Sequence, residues 1–196
     1  MRRLFGALAL LLPLLMVGAA PSAHAGGKLV VAKGDGPVVG SGSRIRYRVA
    51  FEAGISMDRQ FFVDMVQGTL GDRRGWGHAN SFRRVQSAPY RFTVVLASRA
   101  TTDQLCYPFQ TNGLYSCYNN GRAVINLYRW RHGAASYAGH LRSYRHYVIS
   151  HEIGHALGHQ HQYSCLASGL APVMMQQTKS LYGCQRNPWP FPWVSH

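Results

Sequence analysis

Three histidines and a glutamate lie within one short stretch of the C-terminal half of the chain. From His151 to His161 the sequence reads HEIGHALGHQH. His151 and His155 are four residues apart, so on one helix they share a face and both imidazoles can point at the same cation. Two histidines leave a tetrahedral zinc ion under-coordinated, and His161 is the third ligand that the spacing offers. The stretch therefore predicts one catalytic Zn²⁺ held by three histidines, with one position open for water.

Glu152 is predicted to activate that water. A carboxylate beside the first ligand can act as general base while the metal polarises a scissile carbonyl. Glu152 is also the only acidic residue after Asp103, so no later carboxylate can be the base or the third ligand. His159 precedes His161 by two residues and is predicted to be a surface residue. Two alternatives stay open: a His-rich helix face without metal, and a metal-binding protein without catalytic activity.

A long helix must carry the first two histidines. Apolar positions with helical spacing predict a helix over residues 136–157 that stops at Gly158. Glycine accepts a positive φ without steric penalty, so the chain can turn there and bring His161 back toward the other two ligands. The spacing thus predicts both the helix and the bend that complete the ligand set.

The remaining elements indicate an α+β protein. Alternating apolar and basic residues from Ile45 to Phe51 predict a half-buried strand. A helix over residues 57–70 follows, with Ser56 as its predicted cap. Three further segments are predicted as strands, and Asn112-Gly113 predicts a turn in a short loop or hairpin between them. The three strand segments are residues 82–85, 90–98 and 123–130.

The N-terminus has the features of an export signal. Two arginines precede an apolar run from Leu4 to Val17, and Ala23-His24-Ala25 is a small-x-small cleavage pattern. The run is shorter than the roughly 18 to 20 residues that a membrane span needs. We therefore predict a signal peptide over residues 1–25 and one domain over residues 26–196. The mature protein is expected to be a monomer without a membrane span, extracellular or associated with the cell wall.

Four cysteines follow the predicted signal: Cys106, Cys117, Cys165 and Cys184. An even number of cysteines in an exported chain indicates two disulfides. Local closure favours pairing the first cysteine with the second and the third with the fourth, because each pair encloses a short loop. Free thiols or metal-binding thiols remain the alternative.

The chain is strongly basic, with 21 Lys and Arg against 7 Asp and Glu. Without the two arginines of the predicted signal, 19 basic residues remain, which gives a net charge of about +12. Such a charge attracts polyanions, so an anionic cell-wall polymer is a candidate partner. A solvated basic surface without a specific partner is equally open, because no run of five like charges occurs. Nucleic-acid binding is not expected, since no recognised motif is present.

The histidine string fits H-E-x-x-H-x-x-G-x-x-H at every fixed position, and Ala171-Pro172-Val173-Met174 follows it. Together they resemble the metzincin clan of zinc peptidases, in which a Met-turn lies beneath the metal. The resemblance implies a metzincin-like zincin: a twisted mixed β-sheet packed on a zinc-binding active-site helix, with a small C-terminal disulfide-braced subdomain. It implies a secreted endopeptidase that hydrolyses proteins or peptides, with Met174 in the turn and Met175 as its competitor. That both methionines simply fill the core is the alternative.

The C-terminal two thirds of the chain also resembles a family of secreted actinobacterial proteins catalogued as a domain of unknown function. That resemblance implies the same fold and a peptidase activity, but no substrate. The alternative function is a non-catalytic, exported cell-envelope or polyanion-binding protein that keeps the zincin fold. The stretches that carry the resemblance are 101–103, 122–127, 144–148, 151–161, 171–178 and 187–190.

Three further expectations follow from comparison with the clan. Some metzincins have a tyrosine two residues after the turn methionine, where this chain has Gln176; its amide could donate a hydrogen bond to an oxyanion, and Tyr163 is a possible substitute for the tyrosine. The substrate of the clan lies along an edge strand, for which residues 123–130 or the preceding Cys-closed hairpin are candidates. The closing segment 187–193, rich in proline and tryptophan, is predicted to pack over the domain.

Overall fold

The computed structural model describes residues 27–194, so the predicted signal peptide over residues 1–25 lies outside the described residues. This part of the chain is an α+β arrangement of a mixed sheet and helices. The strands are β1 (Leu29–Val31), β2 (Val38–Gly40), β3 (Ser43–Glu52), β4 (Asn80–Arg84), β5 (Phe92–Ala97), β6 (Cys117–Asn119) and β7 (Arg122–Asn126). The helices are α1 (Arg59–Gly71), α2 (Arg99–Cys106), α3 (Leu127–His132) and α4 (Leu141–Ala156), with single 3₁₀ turns at Trp76–His78 and Ala135–Tyr137.

The sheet is twisted and mixed, with strand order β2-β4-β3-β5-β7-β6 and β1 paired to β3. Strands β4, β3, β5 and β7 run parallel to one another. Strands β1, β2 and β6 are antiparallel to their neighbours. β6 therefore forms one edge of the sheet, next to β7.

Alternation along β3 separates the two faces of the sheet. Ile45, Tyr47, Val49 and Phe51 belong to the main core, which also contains buried apolar residues of α1 and α4. On the opposite face, a smaller apolar cluster includes residues of β3, β5 and β7 together with both cysteines of one disulfide. Helix α2 ends in that cluster at Cys106. The helix that carries the histidine string thus lies on the main-core face.

Several predicted elements are confirmed, and two need correction. The strand at Ile45–Phe51 and the helix at 57–70 are present, but Asp58 rather than Ser56 caps α1 by accepting a hydrogen bond from the Phe61 amide. The strand predicted over 123–130 is wrong beyond Asn126. The Asn126 side chain accepts hydrogen bonds from the amides of Tyr128 and Arg129 and so begins α3.

Helix α2 was not predicted. It begins after Ser98, whose hydroxyl accepts a hydrogen bond from the Thr101 amide. The predicted helix over 136–157 is confirmed as α4, which begins five residues later because the 3₁₀ turn at Ala135–Tyr137 and Gly139, with φ of 74°, precede it.

Both predicted disulfides are present. Cys106–Cys117 joins the end of α2 to β6, and Cys165–Cys184 closes a loop in the C-terminal region. The closing segment packs on the domain as predicted, with the Phe191 amide donating to the carbonyl of Arg74 and Trp189 buried. Over residues 27–194, no helix combines the length and apolar character required to span a bilayer.

Candidate metal centre

Helix α4 is buried along most of its length, and this packing fixes the position of His151. Tyr147, Val148 and Ile149 are each at most 2 % exposed, and His151 is 5 % exposed. The indole Nε1 of Trp76 donates to the Ser150 carbonyl over 2.8 Å, which joins the 3₁₀ turn at Trp76–His78 to α4. His151 therefore lies where α4 leaves the apolar core and reaches a cavity.

The structure brings the three predicted ligands together. Ring centroids lie 4.9 Å apart for His151 and His155, 5.3 Å for His151 and His161, and 4.7 Å for His155 and His161. One nitrogen of each ring lies within 4.8 Å of the other two, and the Nε2 atoms of His155 and His161 are 3.1 Å apart. Within the described chain this group of three histidines is arranged so that it could hold a metal ion.

The bend at Gly158 returns His161 to the other two rings. Gly158 has φ of 102°, its amide donates to the His155 carbonyl, and the His159 amide donates to the Gly154 carbonyl. This pair of bonds is the Schellman pattern that ends helices at a glycine. The predicted role of Gly158 as the point where the chain turns is therefore confirmed.

Backbone carbonyls orient two of the rings. Nδ1 of His151 lies 2.8 Å from the Val173 carbonyl oxygen, and Nδ1 of His155 lies 2.9 Å from the carbonyl oxygen of His159. A carbonyl oxygen only accepts, so each Nδ1 must carry the hydrogen and each Nε2 keeps a lone pair. Histidines that ligate metals are usually held this way by a second hydrogen bond.

The three rings also favour the uncharged state that ligation needs. Burial is the main cause that lowers the pKa of His151 to about 3; the neighbouring His155 and His161 act in the same direction, and the hydrogen bond with the Val173 carbonyl acts against it. The pKa values of His155 and His161 are lowered as well, first by burial. Imidazole nitrogens suit Zn²⁺, Cu²⁺, Fe²⁺ and Ni²⁺, and three neutral imidazoles facing a cavity fit such an ion with a position left over.

Glu152 is buried at the wall of the same cavity, only 5 % exposed. Burial raises the pKa of its carboxyl to about 8. A carboxyl with a raised pKa beside a cavity is suited to exchanging protons near neutral pH. The predicted base thus shares one cavity with the three histidines.

Met174 lies directly beneath α4. A Cβ atom placed on Gly154 would overlap the sulfur of Met174 and would lie 3.0 Å from Cζ2 of Trp76. Met175 packs elsewhere, in a cluster with Ala171 and Cys184 of the disulfide-closed region. Of the two methionines predicted for this turn, Met174 is therefore the one that lies against the helix that carries His151 and His155.

Buried polar contacts hold the segment that follows Met174. The Gln177 amide nitrogen donates to the carbonyls of Pro172 and Asn187, while its oxygen accepts from the Tyr137 hydroxyl and the Asn187 amide. The hydroxyl of Tyr147, on α4, donates to the Met175 carbonyl over 2.9 Å. This network fixes the 172–179 segment against α4, and no spacing pattern in the sequence indicates it.

The cavity has a volume of about 690 Å³. Its floor is formed by α4 and the histidines, one wall by residues 109–118 and the other by residues 176–179. The first wall, which we call the hairpin wall, includes the edge strand β6. The second, which we call the strap, includes Gln176 and Lys179. The arrangement is an open cleft whose floor is the candidate metal centre.

Other predicted residues take different positions. Gln176 lines the cavity, and its Oε1 accepts a hydrogen bond from Nζ of Lys179 over 3.2 Å. Tyr163 is 70 % exposed, with its ring centroid 6.4 Å from that of His161. His159 is exposed as predicted, and its ring stacks on Trp76 with the centroids 4.4 Å apart. Its contribution to the site is its carbonyl oxygen, which accepts the hydrogen bond from Nδ1 of His155. Lys179 was not singled out from the sequence, and no spacing pattern marks it.

Comparison with known proteins gives one match. A family model described as "Protein of unknown function (DUF3152)" matches residues 15–185. No curated protein matches the chain, and no solved structure matches it either. The match carries no activity, so the function has to be argued from the residues of the site.

Proposed function

The chain belongs to the DUF3152 family, and from the site that it carries we propose that it is a secreted zinc peptidase of the metzincin type. The observation that carries the proposal is the orientation of His151 and His155. Each ring has its Nδ1 bonded to a backbone carbonyl, which in the neutral ring leaves the lone pair on Nε2, directed away from that carbonyl, as the donor to a metal. A closed structural zinc site has four protein ligands, whereas here three histidines face a cleft.

The proposed role of zinc follows from its chemistry: when bound, it supplies an activated water and polarises a peptide carbonyl. Glu152 would take and return a proton, since its carboxyl borders the cleft and its pKa is raised by burial. Gln176 would donate from its amide nitrogen toward the developing oxyanion, because its amide oxygen already accepts from Lys179. Met174 would support α4 from below in the manner of a Met-turn.

The position of β6 supports a peptide as the substrate. β6 forms one edge of the sheet, and its residues Cys117 and Tyr118 line the cleft. An extended peptide can add to such an edge by main-chain hydrogen bonds, which would place a scissile bond over the histidines. Of the two segments predicted for this role, residues 123–130 include part of β7, which lies inside the sheet, whereas the Cys-closed segment ends at Cys117, where the edge strand β6 begins. Two disulfides agree with function outside the cytoplasm.

The experiment that tests the proposal is metal analysis combined with digestion of a peptide library. The mature protein, with its disulfides formed, should bind one zinc ion and cleave peptides at internal bonds. Treatment with a chelator should remove both the metal and the activity, and added Zn²⁺ should restore both. Protein that binds zinc tightly but leaves every peptide of the library intact would contradict the proposal.

A second candidate function rests on a basic face of the sheet. Six arginines of β3, β4, the start of β7 and the residue before β5, which we call the arginine face, lie on the side away from the main core or at its border: Arg44, Arg46, Arg48, Arg83, Arg91 and Arg122. Arg46 lies directly beside Arg83 in the strand register. Like charges on neighbouring strands are destabilising, and within residues 27–194 Arg83 alone of the six has an acidic partner, Asp35. An external polyanion would neutralise this charge.

This candidate predicts salt-sensitive binding to an anionic chain such as inorganic polyphosphate. Replacing Arg44 and Arg46 with glutamate is expected to weaken binding at low salt about tenfold, because each of the two exposed ion pairs that are lost contributes roughly 0.5 to 1 kcal/mol. The same change at Arg73 and Arg142, which lie outside the arginine face, is the matched control. Equally weakened binding in both double variants would mean that net charge alone is responsible.

A further inference from the structure

Lys179 is a cation at the cleft for which the proposed mechanism gives no direct role. Its Nζ donates to Oε1 of Gln176 over 3.2 Å and lies 5.3 Å from the ring centroid of Tyr115. Gln176 belongs to the strap, and Tyr115 belongs to the hairpin wall. The ammonium group therefore lies between the two walls of the cleft.

No carboxylate in the described part of the chain neutralises this charge. Within residues 27–194, the ion pairs are Arg74 with Asp72 and Arg83 with Asp35. Among the same residues, the only carboxylate that lines the cleft is that of Glu152. Other acidic groups accept hydrogen bonds elsewhere: Glu52 from the Ser98 amide, Asp58 from the Phe61 amide, Asp64 from Gln60 and Asp103 from Thr111 and Gly113.

We propose, on the basis of the peptidase function above, that Lys179 selects substrates with a carboxylate close to the scissile bond. The carboxylate can belong to an Asp or Glu side chain or to the C-terminus of a peptide. An ammonium group has three donors, and the bond to Gln176 uses one of them. The others can bind a carboxylate without breaking that contact.

The geometry also works against basic substrates. A lysine or arginine side chain of a substrate would be repelled by the ammonium group of Lys179. Among the described residues that line the cleft, only Glu152 has a carboxylate that could pair with it. The net charge of about +12 on residues 26–196 also attracts acidic peptides and so adds to the same preference. Lys179 is exposed, so solvent screens its charge and the selectivity it gives is moderate. Exposed ion pairs of this kind change affinity about threefold to fivefold.

The test uses peptides of one sequence that carry Glu, Gln or Lys beside the cleaved bond, each made with a free or an amidated C-terminus. For the wild-type protein we expect kcat/KM to be about fivefold higher for Glu than for Gln. In Lys179→Met the Glu and Gln peptides should be cleaved with equal kcat/KM. In Lys179→Glu the Lys peptide should become the best of the three substrates. A preference that follows the free C-terminus rather than the side chain would identify the terminal carboxylate as the selected group.

The ratio between peptides is the informative quantity, because removing the hydrogen bond to Gln176 can lower the rate on every peptide. Lys33→Glu is the matched control, since Lys33 is exposed, lies outside the cleft and changes the net charge equally. Anisotropy of labelled peptides on the Glu152→Gln protein measures binding without turnover. Lys179-dependent binding of acidic peptides without any hydrolysis would leave this inference standing and overturn the peptidase function. A Glu to Gln ratio unchanged in Lys179→Met would overturn the inference alone.

Discussion

Replacing Glu152 with glutamine is expected to lower kcat/KM for peptide hydrolysis by about a thousandfold, a typical contribution of a positioned general base. The amide has nearly the same shape as the carboxyl but cannot take a proton. Zinc binding should persist, because the three imidazoles that could ligate it are unchanged. Steady-state kinetics and metal analysis of the same preparation measure both effects.

The chain offers a matched control for this change. Glu52 is its only other glutamate, and its carboxylate accepts a hydrogen bond from the Ser98 amide, away from the cleft. Glu52→Gln keeps an oxygen that can accept that bond, so its activity should stay close to that of the wild type. Equal activity of Glu152→Gln and the wild type would show that Glu152 is not the base.

The cluster of three histidines could be predicted from sequence because it depends on local geometry. A spacing of four residues places His151 and His155 on one helical face, and Gly158 permits the turn that returns His161. The two disulfides were predicted for the same reason, since each closes a short loop. Interactions between residues close in sequence thus determine most of the candidate centre.

The contacts between the walls of the cleft could not be predicted, because they join segments that are distant in the sequence. Lys179 of the strap contacts Tyr115 of the hairpin wall, and Gln177 bonds to Tyr137, from which it is separated by 40 positions in the sequence.

The strand predicted over 123–130 failed for a different reason. The apolar run continues past Asn126, but the Asn126 side chain caps α3 and ends the strand. A single capping residue there outweighs the apolar pattern.

Gly154→Ala is expected to destabilise the protein by about 2 kcal/mol, within the range of overpacked cores. Helix propensity alone favours alanine over glycine by about 1 kcal/mol, so the expected loss of stability must come from packing. The added Cβ would overlap the Met174 sulfur and crowd Cζ2 of Trp76, and both residues are buried. Because Gly154 lies between His151 and His155, the strain should also lower zinc affinity about tenfold. Urea unfolding and competition with a zinc chelator measure the two effects.

Gly68→Ala is the matched control, because Gly68 is also helical but a Cβ there meets nothing within 4 Å. It should stabilise the protein by about 0.5 to 1 kcal/mol. The double variant Gly154→Ala, Met174→Ala removes the crowded sulfur, so its decrease in stability should be smaller than the sum of the two single decreases. Simple additivity would mean that Met174 does not support α4. In that case the close approach of the methionine to the helix that carries the ligands would have no energetic consequence for the metal centre.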